Sequence, residues 1–204
     1  MILRSLVVAG ALLLAACGAP TVPDFTWFRL PPPQAPERVP VPAFTDPVVV
    51  DAFGADGLYA DQALIYALDP GAQQLRQYHY QLWTDPPTRM LQRRLIAEMR
   101  EAHLSDEVTD ELPASAKAIR LRGTVLRFDR VPTAAGAWQA VVALKLRADG
   151  PDGHPLVDEY YRIEQAATGS DLKATVEAYG VALDTLFARF HRDLLQRGVG
   201  ARAH

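Results

Sequence analysis

Ile119-Arg120-Leu121-Arg122-Gly123-Thr124-Val125-Leu126-Arg127-Phe128 alternates apolar and polar residues, then changes phase. Period two marks a strand with one dry and one wet face. Through Val125 the apolar positions are odd-numbered; beyond it Leu126 and Phe128 take over. A β-bulge near Gly123–Leu126 accounts for such a slip, because one unpaired residue resets the phase of the strand. Trp138 to Arg147 alternates again, with Val142, Leu144 and Leu146 inward and Lys145 and Arg147 outward. Pro151-Asp152-Gly153 supplies a turn. In the run that follows, Val157, Glu159, Tyr161 and Ile163 share one face, and Asp158, Tyr160, Arg162 and Glu164 the other. The spacing predicts an antiparallel meander with one solvated face.

A closing helix is expected from about Ser170, a plausible N-cap, to Gln196. Leu172, Val176, Tyr179, Leu183, Leu186, Phe190 and Leu194 recur at three- and four-residue spacing and form one core-facing stripe. Upstream of the meander, Thr84-Asp85-Pro86-Pro87 is a helix start, with Thr84 or Asp85 as acceptor for orphan N–H groups and proline tolerated in the first turn. This helix runs to about His103; Leu91, Leu95 and Met99 face inward with Met90 beside them, and Arg93, Arg94, Glu98 and Arg100 face away. The acidic segment 105–114 reads as a loop. Before the helix, Ala63–Leu68 and Leu75–Trp83 form a hairpin about Asp69-Pro70-Gly71, with Tyr78, Tyr80 and Leu82 on the inner face of the second arm. Pro47–Phe53 is a valine-rich strand buried on both faces, and Phe25–Leu30 is a first strand stopped by Pro31-Pro32-Pro33. These elements add up to an α+β fold: a two-layer sandwich with a largely antiparallel sheet of about six strands and two main helices on one face.

The first residues belong to a different kind of segment. Arg4 and the uncharged run Leu6–Ala16 are too short to cross a bilayer and have the shape of a secretory signal. The run ends Leu14-Ala15-Ala16-Cys17, a complete lipobox, and Cys17 is the chain's single cysteine. The expected product is cut before Cys17 and acylated on it; Gly18, where an aspartate would retain a lipoprotein, implies outer-membrane sorting. Residues 1–16 are then the signal peptide, 17–24 a lipidated tether, 25–197 the folded domain and 198–204 a flexible tail. Removing 16 of 204 residues leaves 188, enough for a single core. Loss of Arg4 leaves 20 basic against 24 acidic residues, a charge of −4, which gives no broad attraction for nucleic acid.

No catalytic set is recognisable. The expected mature chain has three serines, Ser105, Ser115 and Ser170, and Gly169-Ser170-Asp171 is not a nucleophile elbow. His79, His103, His154, His191 and His204 show no metal-ligand spacing. Gly54-Ala55-Asp56-Gly57 has neither the spacing nor the lysine of a phosphate loop. The acidic pairs Asp106-Glu107, Asp110-Glu111 and Asp158-Glu159 read as solvated. No cofactor, metal or enzymatic activity is therefore expected. What stands out is aromatic: Trp27, Phe28, Tyr78, Tyr80 and Trp83 gather at strand ends and along the hairpin. Two readings are open for them. Core packing is the commoner fate of large aromatics; exposed, they would mark a partner or lipid surface.

The order of these signals resembles the ABC-type transport auxiliary lipoproteins, the group containing paraquat-inducible protein C. The resemblance runs from the lipobox through Phe25-Thr26-Trp27-Phe28-Arg29-Leu30-Pro31, Val39-Pro40-Val41-Pro42 with Val48-Val49-Val50, and Trp83-Thr84-Asp85-Pro86-Pro87, to Arg127-Phe128-Asp129 and the closing helix. Family members usually carry a tyrosine pair where Trp27-Phe28 stands, and Arg-Trp where this chain has Leu82-Trp83. The resemblance implies an accessory part of an intermembrane phospholipid transporter, held by acyl chains at the periplasmic face of the outer membrane. Its implied partners are a periplasmic protein of the mammalian-cell-entry (MCE) type and an inner-membrane ABC permease and ATPase; self-association into a homo-oligomer is left open. The alternative is a stand-alone periplasmic lipid-binding lipoprotein or envelope adaptor.

Overall fold

The computed structural model describes residues 23–200, with side chains through Arg197. Cys17 and its lipobox Leu14, Ala15 and Ala16 lie outside the described residues, as does His204. The elements are β1 (Thr26–Phe28), β2 (Val48–Val50), β3 (Gly54–Ala55), a 3-10 turn (Gly57–Ala60), β4 (Ala63–Ala67), β5 (Leu75–Trp83), α1 (Pro87–Glu101), β6 (Val108–Thr109), β7 (Ile119–Pro132), β8 (Trp138–Asp149), β9 (Pro155–Ala166) and α2 (Leu172–Gly200).

The meander β7–β8–β9 is antiparallel throughout, as the alternation predicts. Its register slips between Val125 and Arg127, so Leu126 is the bulge residue. Gly123 sits in the same stretch because Phe53 lies against it: a Cβ there would meet the Phe53 ring at 2.5 Å. The α+β class and the two main helices are as expected, but the sheet is mixed rather than largely antiparallel, so the fold is not a clean antiparallel two-layer sandwich. Six strands run in the order β1-β5-β4-β7-β2-β6, and β3, β8 and β9 bring the sheet to nine. The second edge of β7 is taken in turn by β2 at Ile119–Leu121, β3 at Thr124–Val125 and β4 at Asp129–Arg130, all parallel to it. β6 pairs with β2 and β1 with β5, again in parallel. The cause is connection length. Short connections join the antiparallel pairs β4–β5, β7–β8 and β8–β9, whereas every parallel pair joins strands far apart in sequence, with room for the chain to return in the same direction.

Both helices close over one contiguous core, in which Leu91, Leu95 and Met99 of α1 meet Tyr179, Leu183, Leu186 and Phe190 of α2. The stripe on α2 is buried as its spacing predicts, and the helix continues to Gly200. Its N-cap is Asp171 rather than Ser170: the Asp171 carboxylate accepts from the Ala174 N–H at 2.7 Å. At α1 neither Thr84 nor Asp85 caps the helix; the N-cap is Pro86, and Asp85 instead receives Arg89 and Arg93. β2 is shorter than its apolar run, but all three valines are buried. The segment 105–114 is not all loop, since β6 falls within it.

The expectation that Arg94 and Glu98 face solvent is overturned. Arg94 is 6% and Glu98 3% exposed, while Arg93 and Arg100 stay on the surface as expected. A helix presents a polar face to water only where nothing covers it, and here residues 31–44 run as a strap across α1 and α2. Pro31 seats on Gly180 of α2 so closely that a Cβ there would stand 2.3 Å from its ring. Gly180→Ala is therefore expected to destabilise by about 1–3 kcal/mol, overpacking outweighing the roughly 1 kcal/mol of helix propensity gained. A urea midpoint equal to or above wild type would contradict this.

Candidate functional site

The five aromatics singled out by the sequence do not form one surface. Trp83 is 1% exposed and lies in the core, 5.3 Å from the Phe128 ring and 5.5 Å from Tyr179. Phe28 packs against that core from the side, and Tyr78 is half-buried, its ring tilted against that of Tyr66 at 4.4 Å. The inner face expected for β5 is thus divided. Trp83 is an odd number of residues from Tyr80 and so lies on the opposite face of β5, beside core-packed Phe28 of β1. Trp27 and Tyr80 remain outside, joined by Phe25. The Phe25 ring is 6.5 Å from Trp27 and 5.6 Å from Tyr80. Phe25 is 57% and Trp27 52% exposed, on the edge strand of the sheet.

From this edge the chain passes directly into the strap. A groove of about 450 Å³ lies where they meet, floored by Leu30, the three prolines and Met90 and flanked by Arg29 and Arg93. Behind it sits an ion cluster. Arg94 donates through Nε to Glu98 Oε1 (2.8 Å), through Nη1 to the Pro31 carbonyl (2.8 Å), and through Nη2 to Asp184 Oδ1. The Gln34 N–H also donates to Asp184, at 3.3 Å. Further along, the Val39 N–H reaches the Ala102 carbonyl and the Phe44 N–H that of Leu104. One guanidinium thus pins strap, α1 and α2 together.

A single cation facing two carboxylates leaves one negative charge in excess. The excess falls on Glu98, the more buried acid: desolvation pushes its pKa from 4.5 up to about 7 in spite of Arg94. His191 lines the same small cavity under the strap as Glu98 and Asp184. Its Nε2 has no hydrogen-bond partner among the described residues, and burial pulls its pKa from 6.5 down to about 4. Between pH 4.5 and 6.5 the unfolded chain carries imidazolium and carboxylate, the folded one neutral imidazole and protonated acid. Each state then binds one proton on the pair, so the opposite pH slopes of the two groups cancel and wild-type stability is flat there with respect to them. Glu98→Gln leaves the histidine alone: relative to wild type, stability should rise with pH between 4 and 6.5, by up to about 3 kcal/mol. Phenylalanine at 191 leaves the acid alone, and stability should fall between pH 4.5 and 7. Denaturant titrations at four pH values check both slopes; parallel profiles for the three proteins would refute the pairing.

The other buried charges also bond across elements, although Arg130 Nε has no hydrogen-bond partner among the described residues. Asp129 is fully buried, and accepts from Tyr59 Oη and Arg127 Nε, both at 3.1 Å. Arg130 donates to Tyr78 Oη at 2.7 Å and to the Ser170 carbonyl at 2.5 Å, and lies 3.8 Å from the Trp138 ring centroid. Ser105 Oγ donates to the Asp46 carbonyl, and Ser115 and Ser170 are exposed. Among the described residues no three His, Cys, Asp or Glu side chains are grouped to hold a metal ion, and no helix is long and apolar enough to cross a membrane. Phe25 and the cluster of Arg94, Glu98 and Asp184 escaped the sequence reading. The i, i+4 spacing of Arg94 and Glu98 was the available signal, but that spacing also describes an ordinary surface pair.

Two solved structures share the fold. Protein XCC0632 from Xanthomonas campestris, of the family called DUF330, superposes with a TM-score of 0.75 at 16% identity, covering 88% of this chain and 100% of that one. A crystal structure of an uncharacterised protein gives 0.67 at 15% identity, over 84% and 99%. At these identities the likeness shows the fold. A PelC dodecamer from Paraburkholderia phytofirmans gives 0.42 at 15% identity, over 76% and 92%, too distant to bear on the argument. No curated protein matches. The model of the ABC-type transport auxiliary lipoprotein component matches residues 28–190, nearly the whole described body. The chain belongs to that family of transport auxiliary lipoproteins.

Proposed function

We propose that the protein is a lipid-anchored, non-enzymatic accessory component of an MCE-type ABC system that moves phospholipid between membranes. Cys17 carries the anchor and holds the domain at the periplasmic face of the outer membrane. The observation that supports this most directly is the family match over residues 28–190, directly downstream of a complete lipobox. The interior agrees with an adaptor: Arg94, Glu98, Asp129 and Arg130 are engaged in bonds that hold elements together. Gentle detergent extraction followed by affinity purification should recover the permease or the MCE-type protein alongside it. Recovery of neither, from cells expressing all components, would overturn the proposal.

A second reading is favoured by the groove beside the strap, apolar on its floor with Arg29 and Arg93 at its sides. A protein that carries lipid by itself would hold an anionic headgroup there. Native mass spectrometry of protein released in mild detergent should then show a phospholipid adduct that Arg29→Glu removes. The free mass alone would rule this reading out.

A further inference from the structure

We infer that the aromatic edge formed by Phe25, Trp27 and Tyr80 docks on a phospholipid bilayer, seating the domain on the membrane surface instead of letting it hang from its acyl chains. The inference rests on the anchored reading for its leash, and on the structure for its contact surface. Phe25 and Trp27 point out from the same side of the outermost strand, 6.5 Å apart, with Tyr80 of β5 beside them. β1 pairs with β5 on one side and has no partner on the other among the described residues.

Geometry selects the occupant. Seven residues lie between Cys17 and Phe25, so the eight Cα–Cα steps span at most about 28 Å. Any acyl group on Cys17 therefore keeps the edge within a few side-chain lengths of the headgroups. A leash of this kind converts docking into an intramolecular step at high effective concentration, so a weakly binding patch suffices. Tryptophan and tyrosine are the residues that settle at the membrane–water interface, where an apolar ring lies among lipid and its polar tip meets water. A second copy of the chain fits less well. Two half-exposed rings and the more covered Tyr80 offer at most about 300 Å², short of the roughly 500 Å² per partner that a specific interface buries. The edge strand of three residues adds few backbone bonds.

The tryptophans make the test direct. Trp83 is buried and Trp138 is half-buried against Arg130, which leaves Trp27 as the exposed reporter. The full-length protein, purified from membranes, is reconstituted into vesicles of phosphatidylethanolamine and phosphatidylglycerol containing dibrominated phospholipid. Wild-type emission should be quenched by the brominated lipid and protected from aqueous iodide. Trp27→Ala should lose most of the quenching. Phe25→Glu keeps the reporter and should exchange lipid quenching for iodide quenching, because a carboxylate is repelled from the interface. Intact mass determines separately whether Cys17 is acylated, so failure of the anchor and failure of the docking are read apart. Equal lipid quenching in wild type and Trp27→Ala would overturn the inference. So would iodide protection without lipid quenching, together with a cross-linked dimer, which would hand the edge to a second copy.

Discussion

Replacing Arg94 by alanine is expected to lower the unfolding free energy by about 3–5 kcal/mol, the range for breaking a buried ion pair by removing one partner. The residue holds three elements at once, through Glu98 on α1, Asp184 on α2 and the Pro31 carbonyl on the strap. Its loss strands the buried Glu98 carboxylate and leaves the half-buried Asp184 and the Pro31 carbonyl without their donor. Glu98 already titrates near pH 7, so it escapes by taking up a proton; the Arg94→Ala defect should accordingly shrink as pH falls from 7 to 5. A double variant with Glu98→Gln should recover part of the loss, because the uncompensated charge is gone. Guanidinium unfolding monitored by far-ultraviolet circular dichroism measures each. A loss below about 1 kcal/mol would mean that the cluster behaves as an exposed pair.

Trp83→Ala is expected to cost as much, about 3–5 kcal/mol, through the cavity it leaves. Trp83 ends β5 and packs on Phe128 of β7 and Tyr179 of α2, which themselves stack 4.3 Å apart. Removing the indole therefore loosens hairpin, meander and closing helix together. Trp27→Ala, at the exposed edge, should stay within about ±0.5 kcal/mol. The same amino acid thus separates stability from docking: one variant should unfold early and the other should fold normally and lose its membrane contact. Comparable midpoints for the two would contradict the assignment of core and surface.

The contrast between these tryptophans shows how far local pattern reaches. Both stand at strand ends among other aromatics, and nothing within a few residues of either distinguishes them. Trp27 pairs with Leu82 and Phe28 with Trp83, so the pleat sets the two tryptophans on opposite faces of the sheet, and only the Trp83 face is covered by the core. The same holds for Arg94. Its spacing to Glu98 is that of a solvated helical pair, and it is buried because Pro31, some sixty residues earlier in the chain, lies across it.

Periodicity and turn chemistry were enough to place the meander, a bulge within Gly123–Leu126, the Ala63–Trp83 hairpin and the inward stripe of α2. Each of these depends on the alternation of residues with their near neighbours, which hydrophobic burial enforces locally. Strand direction, the paired tryptophans and the ion cluster were settled by folding at long range. Which strand lies beside β7, and which polar face a strap covers, are contacts between segments far apart in the chain, and burial against a distant partner leaves no period to read.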